Sequence, residues 1–185
     1  MIAIDDCAAH LGDAPNSQMF LRAWLGWRGA DVAPNLATVR AEDIGRALPA
    51  MMVFEVFTAD NVIIRLAGTL HRDILGRELT GANAIDLAPP AEREQRIELY
   101  RAYLTYPCGV WWMAQVVRAN GVRTTVHGLA LPVFPKVPGK AMRMYAAFDF
   151  SGDMKSFDKH PLHVLPVPEK LSFIDIGRGA PADAP

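Results

Sequence analysis

Cysteine is scarce: Cys7 and Cys108 are the only two in the 185 residues, far apart and in no C-x-x-C pair. That excludes a disulfide framework and a paired-thiol metal site, and it fits a reducing, cytoplasmic compartment. Charge of either sign is not in excess, because 19 Lys and Arg stand against 20 Asp and Glu for a net charge of −1. A nucleic-acid partner needs a basic stripe and an anionic membrane surface needs a polybasic run, so neither is expected. No apolar run approaches the ~20 residues of a membrane span. The amino end, "MIAIDDCAAHLGDAP", carries acids where a secretory signal carries basic residues, so no export is expected. Also missing are a P-loop, G-x-S-x-G, H-E-x-x-H and G-x-G-x-x-G, and with them the usual sequence signs of an enzyme.

What is present is a core. Hydrophobic residues make up 51% and charged residues 21%, enough apolar material for one domain. "NSQMFLRAWLGWRGA" predicts a helix, with Asn16 or Ser17 as cap and Phe20, Leu21, Trp24, Leu25 and Trp27 as an apolar stripe ending at Gly29. "TVRAEDIGRALP" predicts a second helix from Thr38 to Pro49, with Val39, Ile44 and Leu48 inward. At Met51 the pattern turns to β: "MMVFEVF", the turn "TADN" and "VIIRLAG" make a hairpin. "TLHRDILGRELTGANAIDL" is broken at Gly76 and Gly81 and supports only short helical turns.

"PPAEREQRIELYRAYLTYP" then reads as one longer helix, with Ile97, Tyr100 and Leu104 inward and Glu92, Arg93, Glu94, Arg96 and Glu98 on a solvated face. Three strands follow, "GVWWMAQVVRA", "RTTVHGLALPVF" and "MRMYAAFDF", the first two joined at Asn120-Gly121. The expected organisation is a helical extension over 1–50, a core over 51–150 and a proline-rich tail over 151–185. Within that tail only "LSFIDIG" has the residues to dock on the domain or on a partner.

Two strands, short helices, a longer helix and three antiparallel strands make an α+β order that resembles the PAS sensory domain. The motifs are similar to those of the stand-alone PAS family of alphaproteobacteria: Trp24 with Trp27 in the first helix, Leu48-Pro49 before the first strand, R-x-x-G-T from Arg65 to Thr69, and "LGRELTG" at 75–81. The resemblance implies a five-stranded antiparallel sheet with short helices on one face and a small pocket between them. It also implies binding of a small molecule or cofactor, homodimerisation, and relay of the occupied state to a signalling protein partner.

On that reading the pocket candidates are Arg65, Gly68, Thr69, His71, Asp86 and His127. Strict alternation puts Val62, Ile64, Leu66 and Gly68 on one strand face and Ile63, Arg65, Ala67 and Thr69 on the other. An Arg65 facing the helices needs a counter-charge, from an anionic ligand or from Asp86 or Asp73; the alternative is a structural ion pair or an exposed strand face. Glycines at 68, 76 and 81 let the backbone bend around a cavity. Trp111 and Trp112 point to opposite faces, and the outer one needs a cover. Phe20, Leu21, Trp24 and Trp27 are the candidate interface for it, from the same chain or from a dimer mate.

No cofactor is assigned. "GANAIDL" looks like the flavin-binding photosensor motif, but Ala84 stands where that motif carries its cysteine, and without a thiol no flavin adduct forms. The arginine and glutamine that accompany that cysteine are missing as well, which weakens non-covalent flavin binding without excluding it. Haem-sensing PAS domains present a histidine from the long helix; here that helix has none, leaving His71 and His127 as the imidazoles able to reach a pocket. His160 and His163 in "HPLH" are two ligands short of a metal site, and Cys108 reads as a small buried hydrophobe.

The expected function is therefore a sensory regulator that binds a small apolar or anionic ligand, or a protein partner, and is not an enzyme. One alternative is a cone-shaped α+β isomerase or hydratase using Asp86 and His127, which the strand-first order disfavours. The other is a scaffold whose interior is filled, distinguished by the absence of a cavity.

Overall fold

A computed structural model describes residues 1–117, 121–137, 139–151, 162 and 168–182. His160, His163, Asn120 and much of the proline-rich tail lie outside the described residues. The strands are β1 (Ile2–Ala3), β2 (Met51–Val56), β3 (Val62–Ala67), β4 (Gly109–Val117), β5 (Arg123–Val133), β6 (Met142–Phe150) and β7 (Lys170–Asp175). The helices are α1 (Cys7–His10), α2 (Pro15–Arg28), α3 (Thr69–Leu75) and α4 (Arg93–Thr105), with tight 3₁₀ turns at Ile4–Asp6, Ala41–Ala50, Ala84–Leu87 and Pro90–Glu92.

One sheet runs in the order β1-β7-β4-β5-β6-β2-β3. Every neighbouring pair is antiparallel except β1 with β7. The five expected strands are β2 to β6, and the sheet is wider than predicted because both chain ends add to it. "LSFIDIG" docks on the domain as β7 along the outer edge of β4, and Ile2–Ala3 then pairs with β7. The apolar alternation of Phe173 and Ile174 suits this: Phe173 joins the core on the helix side and Ile174 the core on the opposite side.

The sheet is buried on both faces. Met52, Phe54, Val110, Val126, Ala130, Met144, Ala146 and Phe148 point toward α3 and α4, together with Trp112. On the outer face Met51, Val53, Leu129, Leu131, Val133 and Ala147 form a second core with Phe20, Leu21, Trp24 and Trp27 of α2, and Trp111 packs against it. The two tryptophans thus divide as the pleat requires.

The cover is intramolecular. Phe20, Leu21, Trp24 and Trp27 are all buried by their own chain, so as placed here they do not offer a face to a dimer mate. Their polar atoms are satisfied at home, the Trp24 indole N–H donating to the Pro132 carbonyl at 2.9 Å and that of Trp27 to Asp43 Oδ2 at 2.7 Å.

Two local expectations are corrected. Neither Asn16 nor Ser17 caps α2, which begins one residue earlier at Pro15 with Ala14 as an N-cap lacking a side-chain hydrogen bond. The free N–H groups of the first turn are taken instead by Asp149 from β6: Asn16 N–H donates to Oδ1 at 2.8 Å, and Ser17 donates to Oδ2 from its N–H at 3.0 Å and its hydroxyl at 2.6 Å. A carboxylate there also meets the positive end of the helix dipole.

The predicted second helix is a run of 3₁₀ turns over Ala41–Ala50, interrupted at Gly45 with φ 58°. Thr38 bonds back to the Asn35 carbonyl instead of capping, and Leu48 is exposed where inward packing was expected.

Asp149→Ala strips three donors of their acceptor at a buried helix end and is expected to lower stability by about 2–3 kcal/mol. Urea unfolding reads this, with Asp149→Asn giving a smaller loss because an acceptor oxygen remains.

Candidate functional site

Between the sheet and the helices lies a cavity of about 80 Å³. Its floor is Met52 and Phe54 of β2, Val110 and Trp112 of β4, Ala130 of β5, and Met144, Ala146 and Phe148 of β6. Its roof is Arg96, Leu99, Tyr100 and Tyr103 of α4 with Ala84 and Leu87, and Pro168 completes the wall.

Local sequence explains why space remains. Ala84, Ala130 and Ala146 are short, and Gly128 opposite Trp112 has no side chain at all. A Cβ on Gly128 would stand 2.1 Å from the Trp112 indole, so the missing side chain lets the ring lie down over β5.

The turn that carries Ala84 and Leu87 is fastened to the sheet edge. Ile64 N–H donates to the Ala82 carbonyl at 3.0 Å, and Gly81 N–H to the Ile64 carbonyl at 2.8 Å. Asn83 Oδ1 accepts from the N–H groups of Val62 and Ile85, both at 3.2 Å, while its amide donates to the Asp60 carbonyl at 2.8 Å. The "GAN" motif thus acts as a clasp holding one wall of the cavity against β3, with Gly81 at φ 90° allowing the bend.

Electrostatically the cavity is apolar with one cation. Among the described residues Arg96 is the only charged side chain lining it. Burial depresses the Arg96 pKa, opposed by the proximity of Tyr100, Glu92 and Tyr103. Burial raises Tyr100 to about 12 and lifts Tyr103 well above the ordinary phenol range, so both remain neutral hydrogen-bond donors.

Of the residues expected here from sequence, none lines the cavity. Arg65 is the extra residue of a β-bulge: Ile64 pairs with Phe54 and Leu66 with Val53, leaving Arg65 unmatched. The bulge reverses the parity of the strand, so Leu66 is exposed and Ala67 turns to the helix side, opposite to strict alternation. Arg65 itself is exposed and bonds to Glu55, which Arg143 also approaches at 3.6 Å, so the structural ion pair is the reading that holds.

Gly68 has another role. A Cβ there would sit 2.2 Å from the Pro49 carbonyl oxygen, so its bareness lets the Leu48-Pro49 segment cross the end of β3. Thr69 is exposed at the start of α3. His71 is buried beneath that crossing: Nε2 donates to the Ala50 carbonyl at 3.1 Å, and the ring meets Phe148 edge-on with centroids 4.6 Å apart. It backs a wall residue of the cavity without reaching the space.

Asp86 is exposed and lies 3.8 Å from Arg93. His127 is on the outer face of β5 beside Trp111, with centroids 6.3 Å apart, and its Nδ1 is buried without a partner among the described residues. Asp86 and His127 therefore lie on opposite sides of the sheet and form no acid–base pair. The long helix is also rotated from expectation: Tyr100 and Tyr103 are buried while Leu104 is exposed.

Arg96 is the cavity residue that sequence reasoning assigned to a solvated face. The available signal is the spacing of Arg96, Leu99, Tyr100 and Tyr103, which is one helical stripe with a cation at its end.

With this geometry in view, the comparisons are consistent. A family model described as PAS domain matches residues 13–146, and the chain belongs to the PAS-domain family. Among solved structures, a fungal LOV domain photoreceptor is similar at 18% identity and a TM-score of 0.38, covering 54% of this chain and 72% of that one; at that distance the likeness carries no argument. No curated protein gives a match. No helix among the described residues is long and apolar enough to cross a membrane.

His71 generates a pH prediction. Burial lowers its pKa to about 4, against 6.5 ordinarily, so between those values the unfolded chain takes up a proton that the folded chain refuses. Stability is expected to be full above pH 6.5 and to fall as pH drops toward 4, by on the order of 3 kcal/mol at most. His71→Gln, which keeps a donor but cannot titrate, is expected to flatten that slope in urea melts across this range.

Proposed function

We propose that this chain is a cytoplasmic PAS regulator. A small molecule enters the cavity under α4, and its presence is passed through the sheet to α2, whose docking a signalling protein reads. The observation that carries this reading is the position of Phe148 and Asp149 in β6. Phe148 lines the cavity with its side chain, while its backbone carbonyl accepts from the Asn16 amide at 2.9 Å. The next residue, Asp149, holds the first turn of α2. Two adjacent residues of one strand therefore touch both the guest space and the fastening of the outer helix, which is the connection a ligand needs to bias one docking state over another.

The competing readings are less well supported. A filled scaffold needs side chains packed through the interior, and a space of about 80 Å³ remains under α4. The Asp86 and His127 chemistry of a small hydratase lacks its pair, since the two residues lie on opposite sides of the sheet.

A ligand found by thermal-shift screening is expected to raise the melting temperature and to change hydrogen-exchange protection across residues 15–28. Leu99→Trp, which fills the cavity from half-buried α4, is expected to abolish both responses while leaving the circular dichroism of the fold intact. A ligand response that survives this variant would refute the proposal.

A further inference from the structure

The chemistry of the cavity wall narrows the guest. We propose that it is a small monocarboxylic acid with an apolar body, its carboxylate against Arg96 and its body among Trp112, Phe148 and Met144. This depends on the cavity being a ligand site, as proposed above.

Charge decides the head group. Arg96 is half-buried at the cavity, and although the Glu92 carboxylate acts on it, no carboxylate lines the cavity itself among the described residues. Arg96 already has a partner within the chain. Its guanidinium presents five N–H donors in a planar fork, so a further acceptor can be taken on, and a carboxylate matches that fork two bonds at a time. The phenols of Tyr100 and Tyr103, held neutral by burial, add donors and no competing negative charge. An ammonium compound would meet a like charge. A dicarboxylate would bury a second charge for which the wall offers no second cation.

Shape decides the body. About 80 Å³ is several times the ~10–15 Å³ that one water needs, yet well below the ~300 Å³ where sites for drug-sized molecules begin. A cavity of ~150 Å³ holds one benzene ring, so this one suits a chain of about three or four carbons. Trp112 and Phe148 meet edge-on at 5.4 Å, presenting aromatic walls to such a body.

Ligand-observed NMR titration of the whole chain tests this with butyrate and isovalerate, each against its neutral amide. The expected result is carboxylate binding at least tenfold tighter than amide binding. Arg96→Gln should reduce that preference to within twofold, and Leu99→Trp should abolish binding of all four compounds.

Amides binding as tightly as the acids, or a preference that survives Arg96→Gln, overturns the carboxylate assignment and leaves the cavity as a ligand site. Binding that Leu99→Trp does not touch overturns both, and no binding by any of the four compounds overturns the carboxylate assignment alone. If Arg96→Gln does not fold, Arg96→Lys keeps the charge and removes the fork. It should weaken the acids at least fivefold and leave the amides unchanged, and unchanged acid affinity would overturn the assignment.

Discussion

The carboxylate of Asp149 fastens the start of α2 to the sheet that its apolar stripe covers. A helix of fourteen residues is marginal by itself in water, and the first turn of α2 has no side-chain cap of its own. By supplying that cap from β6, the sheet fixes where α2 starts, and the spacing of Phe20, Trp24 and Trp27 then carries the apolar stripe across Leu129, Leu131 and Tyr145. The Trp27 ring meets Tyr145 edge-on at 6.2 Å, and the Trp24 N–H reaches the Pro132 carbonyl. These contacts continue along α2 the seating that the buried acid begins at its first turn.

The two faces of the sheet have been solved differently. On the outer face large side chains meet large side chains, and the space is closed by Trp24 and Phe20, both fully buried. On the inner face alanines sit opposite the aromatic stripe of α4, and a hollow is left. That hollow lies between sheet and helices, where protein interiors leave few voids larger than a water. Gly68 lets the Leu48-Pro49 crossing press onto β3, and Gly128 lets Trp112 lie over β5.

Much of this was legible in the sequence. β-branched and aromatic enrichment between turn signals located β2 to β6, the tryptophan stripe located α2, and the broken middle segment announced turns in place of a rod. Where the reading failed, a physical reason is visible. A bulge at Arg65 adds one residue and so inverts every face assignment after it, and no local composition signals that insertion.

Arg96 was hidden because a long cationic side chain on a charged helix reads as solvated whether or not its stem is buried. The capping of α2 was missed because its acceptor is 132 positions away in sequence, beyond the reach of any local pattern. The predicted helix before β2 failed at Gly45, where a positive φ breaks the turn that its apolar spacing suggested.

The parallel pair at the sheet edge has its own consequence. Ile2 lies beside Ile174, so nearly the entire chain is looped between two residues that are neighbours in space. Closing so large a ring is entropically expensive, and its return is only the short two-residue β1 ladder. Two segments 172 positions apart therefore share one sheet edge, and β7 stands between β1 and β4, so a displacement of either outer strand passes through it.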